Sequence, residues 1–521
     1  MNFSFILRTA AISLALCSAA YANVRPATIF QSNMVLPREV TVPVWGKADP
    51  GEAVEVSFSG QTAKTTADKY GNWQVTFAPM KANTAGQEMV LKGKNKVVLK
   101  NILIGDVWFC GGQSNMEMPF TWKVTDGEKH IAESKNYPLI RRVKVQKEHA
   151  NDPLEEAIIQ HDWSVCGPNT VRIWSAAAYY FARRIHKETG VPIGILESNA
   201  GGTPIILFIS PNGFDKEKSR GQWNLSQPYI PGTPEYKKRI QEKIRQHQEW
   251  IARAEEALEK GTEVPGFPKE KRRKGYISLY YNSMMAPLTR FPIKGVIWYQ
   301  GCSDAKSGLA YYTRMHELVK GWRKDWGREL PFYYVQLAAY QKATNNPAGG
   351  DGFTLLREAQ LKAMDLPNTG MVCAIDIGMQ NDIHPKNKLD IGERLALWAL
   401  RDLYGKKDLE VSGPLFQSME IRDGKAILTF SHAKGLMTAK KTGLEKPVPV
   451  NSKPAHFAIA GADKVWHWAD AEIKGEQVIL SSDKVKNPVA VRYAFRSYPD
   501  GVNMYNADGL PMVPFRTDDW K

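Results

Sequence analysis

Cysteine is scarce in the sequence, with five present among 521 residues. One of them, Cys17, lies in an N-terminal apolar run, and the remaining four are too few to form a disulfide framework in a chain of this length. None of the four belongs to a Cys-x-x-Cys pair, so we expect no structural zinc site, and the sequence predicts neither a metal nor a cofactor. Cys110 and Cys302 lie beside polar motifs, and a bridge between them stays open.

Long apolar runs are scarce as well. The chain is small and apolar from 9 to 20, a positive charge precedes this run, and an A-x-A cleavage site ends at Ala22. We therefore expect residues 1–22 to be a signal peptide and the protein to be exported to the periplasm or the cell exterior. A lipoprotein signal at Cys17 fits less well, because Leu16 is bulky for the position before a lipidated cysteine. No later run reaches the roughly 20 residues of a transmembrane helix, so we do not expect the protein to span a membrane.

Acidic residues are fewer than basic ones: the sequence has 54 Asp and Glu and 69 Lys and Arg, which gives a formal net charge of +15. Much of the excess lies in the basic stretch 269–274 and along one long helical segment, which favours a solvated face over an acidic partner. The sequence contains no nucleic-acid-binding motif, so nucleic acid is not an expected partner. The oligomeric state is not indicated, and the length predicts about two to four domains.

Hydrophobic patterning divides the chain into a β region, an α/β region and a second β region. Residues 23–103 alternate polar and apolar side chains, which predicts a β-sandwich-like domain. Residues 104–407 contain apolar runs separated by helical stretches, which predicts a parallel sheet with covering helices. Residues 408–521 are β-rich, with hairpin-like turns at Gly424 and Gly475. The clearest buried strands of the α/β region are expected at 107–109, 193–196, 295–299 and 372–375.

Two helices are predicted from their ends. One runs from about 175 to 188 and would stop at Gly190. The other begins at Thr233 and Pro234, a cap and a first-turn proline, and forms part of an insertion at about 233–275. This helix carries an apolar stripe made of Ile240, Ile244, His247, Ile251, Ala254 and Leu258. We expect His247 to be a packed or boundary residue and not a ligand.

The most informative motif is Gly111-Gly112-Gln113-Ser114-Asn115, which directly follows the predicted strand at 107–109. A serine on the tight turn after a buried strand lies at the edge of the sheet where open α/β folds bind their ligands. The glycines allow a sharp turn, and a helix starting after Ser114 would direct free N–H groups at a developing negative charge. The motif predicts a nucleophile, although a hydrophilic turn would have the same composition.

His384 is the predicted base for Ser114. It follows the strand at 372–375 and returns to the same edge of the sheet. Asp382 could orient the imidazole and stabilise its charged form, and Asp376, at the end of that strand, is a second candidate for this role.

Two further turns could form an oxyanion hole. The segment 198–203 follows one strand, and its glycines leave a backbone N–H exposed, whereas the segment 298–304 follows another and offers the amide of Gln300. Donors fixed where an alkoxide forms are typically worth about 10²–10³-fold in rate.

Taken together, these motifs resemble those of the sialate O-acetylesterases, within the wider SGNH-hydrolase group of carbohydrate esterases. The resemblance covers nearly the whole chain after the leader. It rests on the motifs Gly111-Gly112-Gln113-Ser114-Asn115-Met116, Ala200-Gly201-Gly202-Thr203, Trp298-Tyr299-Gln300-Gly301 and Asp382-Ile383-His384-Pro385.

The resemblance implies a three-layer α/β/α SGNH-type catalytic domain flanked by β-sandwich-like regions, and a metal-free serine mechanism. It implies that Ser114 is the nucleophile, His384 the general base and Asp382 its orienting group. The backbone N–H groups of Ser114 and Gly202 would bind the oxyanion, and the remaining candidates for oxyanion or substrate binding are Gln113, Gln300 and Asp304.

Two departures from the family pattern affect these assignments. Members often carry Glu and Asn where this chain has Cys302 and Asp304. An ionised Asp304 cannot donate to an oxyanion, so Gln300 is expected to replace it or Asp304 to act otherwise. The wider group usually has Asp three residues before the histidine, where this chain has Asn381. The orienting group therefore stays open between Asp382, Asp376 and a backbone carbonyl.

The expected activity is hydrolysis of O-acetyl esters on carbohydrates, most of all on 9-O-acetylated sialic acids. An acetylated glycan is therefore the expected partner. Deacetylation of xylan or another plant polysaccharide is an alternative, because a fold does not determine a substrate. A non-catalytic glycan-binding protein is a second alternative. A glycosidase would need two carboxylates about 5–9 Å apart, and the sequence suggests no such pair.

Overall fold

The computed structural model describes residues 23–268 and 277–520. The predicted signal peptide and the whole basic stretch at 269–274 lie outside the described residues. Over the described ranges, no helix combines the length and the apolar character that a membrane crossing requires.

The first region forms two small sheets, β1-β3-β6 and one that joins β5, β4, β7 and β8. Phe58 of one sheet packs against Phe77 of the other, with ring centroids 6.1 Å apart, as expected for a sandwich-like arrangement. The strands are β1 Arg25–Pro26, β2 Val35–Pro37, β3 Val42–Lys47, β4 Ala53–Phe58, β5 Gln61–Thr66, β6 Asn72–Phe77, β7 Asn83–Lys92 and β8 Lys96–Gly112.

Strand β8 crosses the predicted domain boundary. Its first half pairs with β7, and its second half, from residue 106 to Gly112, pairs with strands of the central sheet. The boundary predicted at 103–104 therefore falls inside one 17-residue strand. No linker separates the two regions, and their buried residues form one continuous core.

The central sheet has the order β10-β9-β11-β8-β12-β13-β14, and all neighbouring pairs except β10-β9 are parallel. Every residue of β9, β11, β12 and β13 is buried, as predicted for a sheet covered on both faces. The run at 372–375 is an exception, because the strand ends at Val372 and a 3-10 turn, Ile375–Ile377, follows. The added strands are β9 Ile140–Val145, β10 Ile159–Val165, β11 Ile193–Asn199, β12 Gly295–Tyr299, β13 Phe332–Val335 and β14 Thr369–Val372.

Helices cover both faces of this sheet. Successive residues of β8 point to opposite sides: Trp108 meets Phe181 at 4.8 Å, and Phe109 meets Trp322 at 5.1 Å. The helices are α1 Ser114–Glu117, α2 Gly127–Glu133, α3 Pro168–Val171, α4 Ala176–Thr189, α5 Arg220–Ser226, α6 Pro234–Lys260, α7 Tyr311–Trp326, α8 Thr354–Lys362 and α9 Lys388–Leu403. The predicted end of α4 at Gly190 is confirmed.

Helix α6 begins as predicted, because the Thr233 hydroxyl accepts the N–H of Tyr236. Its apolar stripe is not packed against the core: Ile244, Ile251 and Leu258 are 51%, 47% and 70% exposed. Of the six stripe residues, Ala254 alone is fully buried. Periodicity therefore identified the helix correctly and overstated its burial.

The last region has a core of its own, built around residues such as Phe430, Tyr493 and Phe515. Its larger sheets are antiparallel, with orders β15-β16-β22-β21 and β20-β19-β23-β25. The turns at Gly424 and Gly475 connect β15 to β16 and β21 to β22, as predicted. The strands are β15 Leu415–Arg422, β16 Lys425–Ser431, β17 Met437–Lys440, β18 Val448–Pro449, β19 Phe457–Ala460, β20 Trp466–Trp468, β21 Asp470–Lys474, β22 Gln477–Ser481, β23 Ala490–Tyr493, β24 Met504–Tyr505 and β25 Phe515–Arg516.

Candidate active site

Ser114 is the first residue of α1, immediately after the central strand β8. The turn depends on Gly112, whose φ is +139° and whose Cβ, if present, would lie 2.2 Å from the carbonyl oxygen of Tyr299. No larger residue fits between the two strands at this point. The half-buried hydroxyl of Ser114 is thus held at the carboxyl end of the sheet, beside the ends of β11 and β12.

The structure brings His384 to Ser114. The loop between β14 and α9 carries the histidine, and its Nε2 lies 2.8 Å from Oγ of Ser114. This is hydrogen-bond geometry between a hydroxyl and a base, the arrangement that activates a serine nucleophile.

Asp382 lies on the other side of the imidazole. One of its oxygens accepts the backbone N–H of His384 at 2.9 Å and lies 3.4 Å from Nδ1. The second oxygen is 2.9 Å from Nζ of Lys386. At 3.4 Å the carboxylate acts on the ring mainly through its charge, while its backbone contact fixes the loop.

The protonation states suit a base. Burial, together with the nearby charge of Lys388, lowers the pKa of His384 below its usual value of 6.5, although Asp382 acts in the opposite direction. Burial would raise the pKa of Asp382, but the contacts with Lys386 and the His384 backbone outweigh it, and the pKa is lowered. At neutral pH the imidazole is therefore neutral and the carboxylate ionised.

Asp376 does not orient His384. Both of its oxygens accept hydrogen bonds from Arg394, each at 2.8 Å, and its side chain is 1% exposed. Asp376 serves as the partner of a buried guanidinium, which excludes one of the two alternatives to Asp382.

The turn after β11 packs directly on the nucleophile. A Cβ built on Gly201 would lie 3.3 Å from Cβ of Ser114, and the N–H of Gly201 donates to Oε2 of Glu117 at 3.2 Å. The next residue, Gly202, has a φ of +69° and a free Cβ direction. The predicted oxyanion residue therefore lies one position from the contact with Ser114, on a loop that α1 itself holds in place.

A partly buried chain of ion pairs supports that loop. Glu117 contacts Lys144 at 3.1 Å, Lys144 contacts Glu197 at 3.3 Å, and Glu197 receives a hydrogen bond from Arg142 at 2.8 Å. Glu197 and Arg142 are both completely buried. These ion pairs link α1 to strands β9 and β11, and Glu117 in turn holds the N–H of Gly201.

Gln113, Gln300 and Asp304 form a buried amide network beneath the same loop. The amide of Gln113 donates to the carbonyl of Thr203 at 2.7 Å and to Oγ of Ser303 at 2.6 Å. The amide of Gln300 donates to the carbonyl of Thr203 at 3.1 Å and to Oδ2 of Asp304.

These contacts correct the predicted oxyanion role of Gln300 and the substrate-binding role of Gln113. An amide has two N–H donors, and in both glutamines both are already used inside the protein. Asp304 also faces inward, since its Oδ2 accepts the N–H of Ile205 at 2.8 Å. Burial raises the pKa of Asp304, while the bonds from Gln300 and Ile205 favour its ionised form. The network therefore braces the loop that carries Gly202.

Sequence reasoning missed two side chains, Asn115 and Lys388, that join the Ser114 turn to the His384 loop. Asn115 donates to the carbonyl of Ile383 at 2.9 Å and accepts from Nζ of Lys388 at 2.6 Å. Burial lowers the pKa of Lys388 to about 7. One signal was available, because a lysine at the start of α9 opposes the helix dipole and needs another reason to be there.

The described residues contain no group of three or more side chains arranged to hold a metal ion. Cys110 and Cys302 are both free thiols, so the bridge that the sequence left open is not formed.

Comparison with known proteins adds independent information. A family model for a carbohydrate esterase, sialic acid-specific acetylesterase, matches residues 233–401. The chain is 28% identical to sialate O-acetylesterase of Mus musculus, over 94% of this chain and 94% of that protein. It is 24% identical to the Homo sapiens protein of the same name, over 94% and 92%. Among solved structures, a carbohydrate acetylesterase from Xanthomonas citri is 33% identical, with a TM-score of 0.77 over 95% of this chain and 100% of that one.

Proposed function

Because the chain belongs to the sialic acid-specific acetylesterase family of carbohydrate esterases, we propose that it removes acetyl groups from 9-O-acetylated sialic acids through an acetyl-enzyme on Ser114. The family makes it a carboxylic ester hydrolase that acts on acetylated carbohydrates. The preference for sialic acid, the roles of individual residues and the SGNH-type classification of the α/β domain are parts of the proposal.

The single observation that carries the mechanism is the 2.8 Å contact between Oγ of Ser114 and Nε2 of His384. Oγ attacks the acetyl carbonyl while Nε2 takes its proton, and the imidazolium then returns that proton to the departing sugar oxygen. A water molecule, deprotonated by the same imidazole, then attacks the acetyl carbonyl, and the imidazolium protonates Oγ of Ser114 as the ester bond breaks and acetate leaves. Asp382 stabilises the imidazolium, and the N–H groups of Ser114 and Gly202 stabilise the oxyanion.

A cation beside the oxyanion loop supports an acidic sugar as substrate. Nζ of Lys147 lies 3.2 Å from the carbonyl oxygen of Gly201, and the side chain is exposed. Sialic acid carries a carboxylate that this charge attracts, whereas acetylxylan is neutral. We also propose that residues 1–22 are removed on export, as the apolar run and the A-x-A site indicate.

The test measures acetate release from O-acetylated sialic acids, acetylxylan and acetylated pectin, with mass spectrometry as the readout. We expect the highest kcat/KM on the sialic acids. Ser114→Ala should lower kcat on every ester by about 10⁴- to 10⁶-fold, as for other serine hydrolases that lose the nucleophile. Ser418→Ala, an exposed serine of β15, is the matched control. Turnover that survives Ser114→Ala contradicts the mechanism, and higher kcat/KM on acetylxylan contradicts the substrate.

A further inference from the structure

An exposed tryptophan stands beside the base. Trp122 is 43% exposed, and the centroid of its ring lies 5.9 Å from that of His384, with an interplanar angle of 77°. The edge-to-face contact uses only part of the indole, so apolar ring surface beside His384 remains exposed to solvent.

The backbone around Trp122 is anchored on both sides. Phe120, two residues earlier, is buried against Tyr179 and Tyr180, each at a centroid distance of 5.5 Å. Three residues later, the N–H of Thr125 donates to the carbonyl of Lys386 at 3.0 Å, on the loop that carries the base. The position of the indole relative to His384 is therefore fixed by the core and by the base loop.

Single exposed apolar side chains are common on protein surfaces and need no explanation by themselves. Trp122 differs because its backbone is braced and because it lies next to the atoms that react with the ester. Ligand sites combine aromatic walls with a few fixed polar groups, and here Ser114, His384 and Lys386 supply the polar groups.

We propose that Trp122 forms the sugar subsite of the enzyme by stacking on the apolar C–H face of the acetylated sugar's ring. The inference rests on the proposed function. An acetylated sugar presents an apolar ring face and a polar rim, and the half-open indole beside a charged loop matches both. The stacked ring would direct the acetyl group toward Ser114, whereas a small ester has no ring to stack.

The experiment compares kcat/KM for an O-acetylated sialic acid with kcat/KM for ethyl acetate, which has the same acyl group and no ring. In Trp122→Ala we expect the sugar-to-ethyl ratio to fall about tenfold, which corresponds to about 1.4 kcal/mol, mainly through a higher KM for the sugar. Trp122→Phe should restore most of the ratio. Trp468→Ala is the matched control, because Trp468 is 37% exposed and lies on β20 in the C-terminal region.

A ratio that stays unchanged in Trp122→Ala overturns the proposal, as does an equal fall for both esters, which would mean that the indole acts through His384. Failure of the proposed function looks different, because wild type would then lack activity on the sialic acid. In that case the same ratio is measured with whichever acetylated sugar the enzyme hydrolyses, and the prediction for Trp122 is unchanged.

Discussion

The two sides of the catalytic edge use polar residues in opposite ways. On one side, Ser114 and His384 are half-buried and share one short contact, with capacity left for a substrate. On the other, Gln113, Gln300 and Asp304 are buried and bonded to their surroundings. All five follow buried strands of the same sheet. The difference indicates that a position at the strand ends does not by itself leave a side chain free to contact a substrate, because that also requires exposure and unused hydrogen-bonding capacity.

The largest expected effect on activity comes from removing the imidazole of His384. His384→Ala deletes the only group in hydrogen-bond contact with the Ser114 hydroxyl among the described contacts, so we expect kcat for an aryl acetate to fall by about 10⁴-fold or more. His247→Ala, which alters an exposed histidine of α6, is the control and should keep wild-type activity. A decrease of less than tenfold in His384→Ala would mean that another group deprotonates Ser114.

The buried amide network should respond mainly in stability. Asp304→Ala leaves the N–H of Ile205 and one N–H of Gln300 without an acceptor, which costs about 1–3 kcal/mol for each buried group. We expect a lower urea midpoint and a decrease in kcat of about tenfold, because the loop carrying Gly202 loosens. Asp304→Asn keeps an oxygen that can accept from Ile205 and should lose less of both.

Activity and unfolding measured on the same two variants distinguish the roles. A loss of kcat greater than about 10³-fold at unchanged urea midpoint would place Asp304 with the reacting groups and contradict the bracing role.

Sequence patterns predicted most of the fold and the reactive side of the site for one physical reason. Parallel strands bring their carboxyl ends to one edge, so the turns that follow β8 and β14 had to meet, and Ser114 and His384 came together as expected. The patterns were less informative where tertiary contacts decide. The repeat of Ile244, Ile251 and Leu258 shows that α6 is amphipathic and cannot show what covers it.

The buried amide network illustrates the same limit at the level of single atoms. A glutamine beside a nucleophile is a plausible donor until its two N–H groups are counted, and that count depends on Thr203 and Ser303, about 90 and 190 residues away from Gln113. The departure from the family pattern at Asp304 left its role open, and its bond to the N–H of Ile205 depends on tertiary packing that the pattern does not contain.

The smallest expected effect is a shift in the acid midpoint of kcat/KM, which tests the charges around His384. The proposed mechanism requires neutral His384, whose pKa is lowered by burial, so kcat/KM should fall on the acid side with a midpoint below 6.5. The charge of Lys388 also lowers the pKa of His384, and the charge of Asp382 raises it. Because the pKa of Lys388 is about 7, this lysine is mostly charged at the pH values where His384 titrates. Lys388→Met should therefore move the midpoint to higher pH, and Asp382→Asn should move it to lower pH.

The two variants are controls for each other, because general damage to the site would lower kcat/KM without moving the midpoints in opposite directions. Shifts of the same sign would show that neither charge acts on His384 through its proton equilibrium.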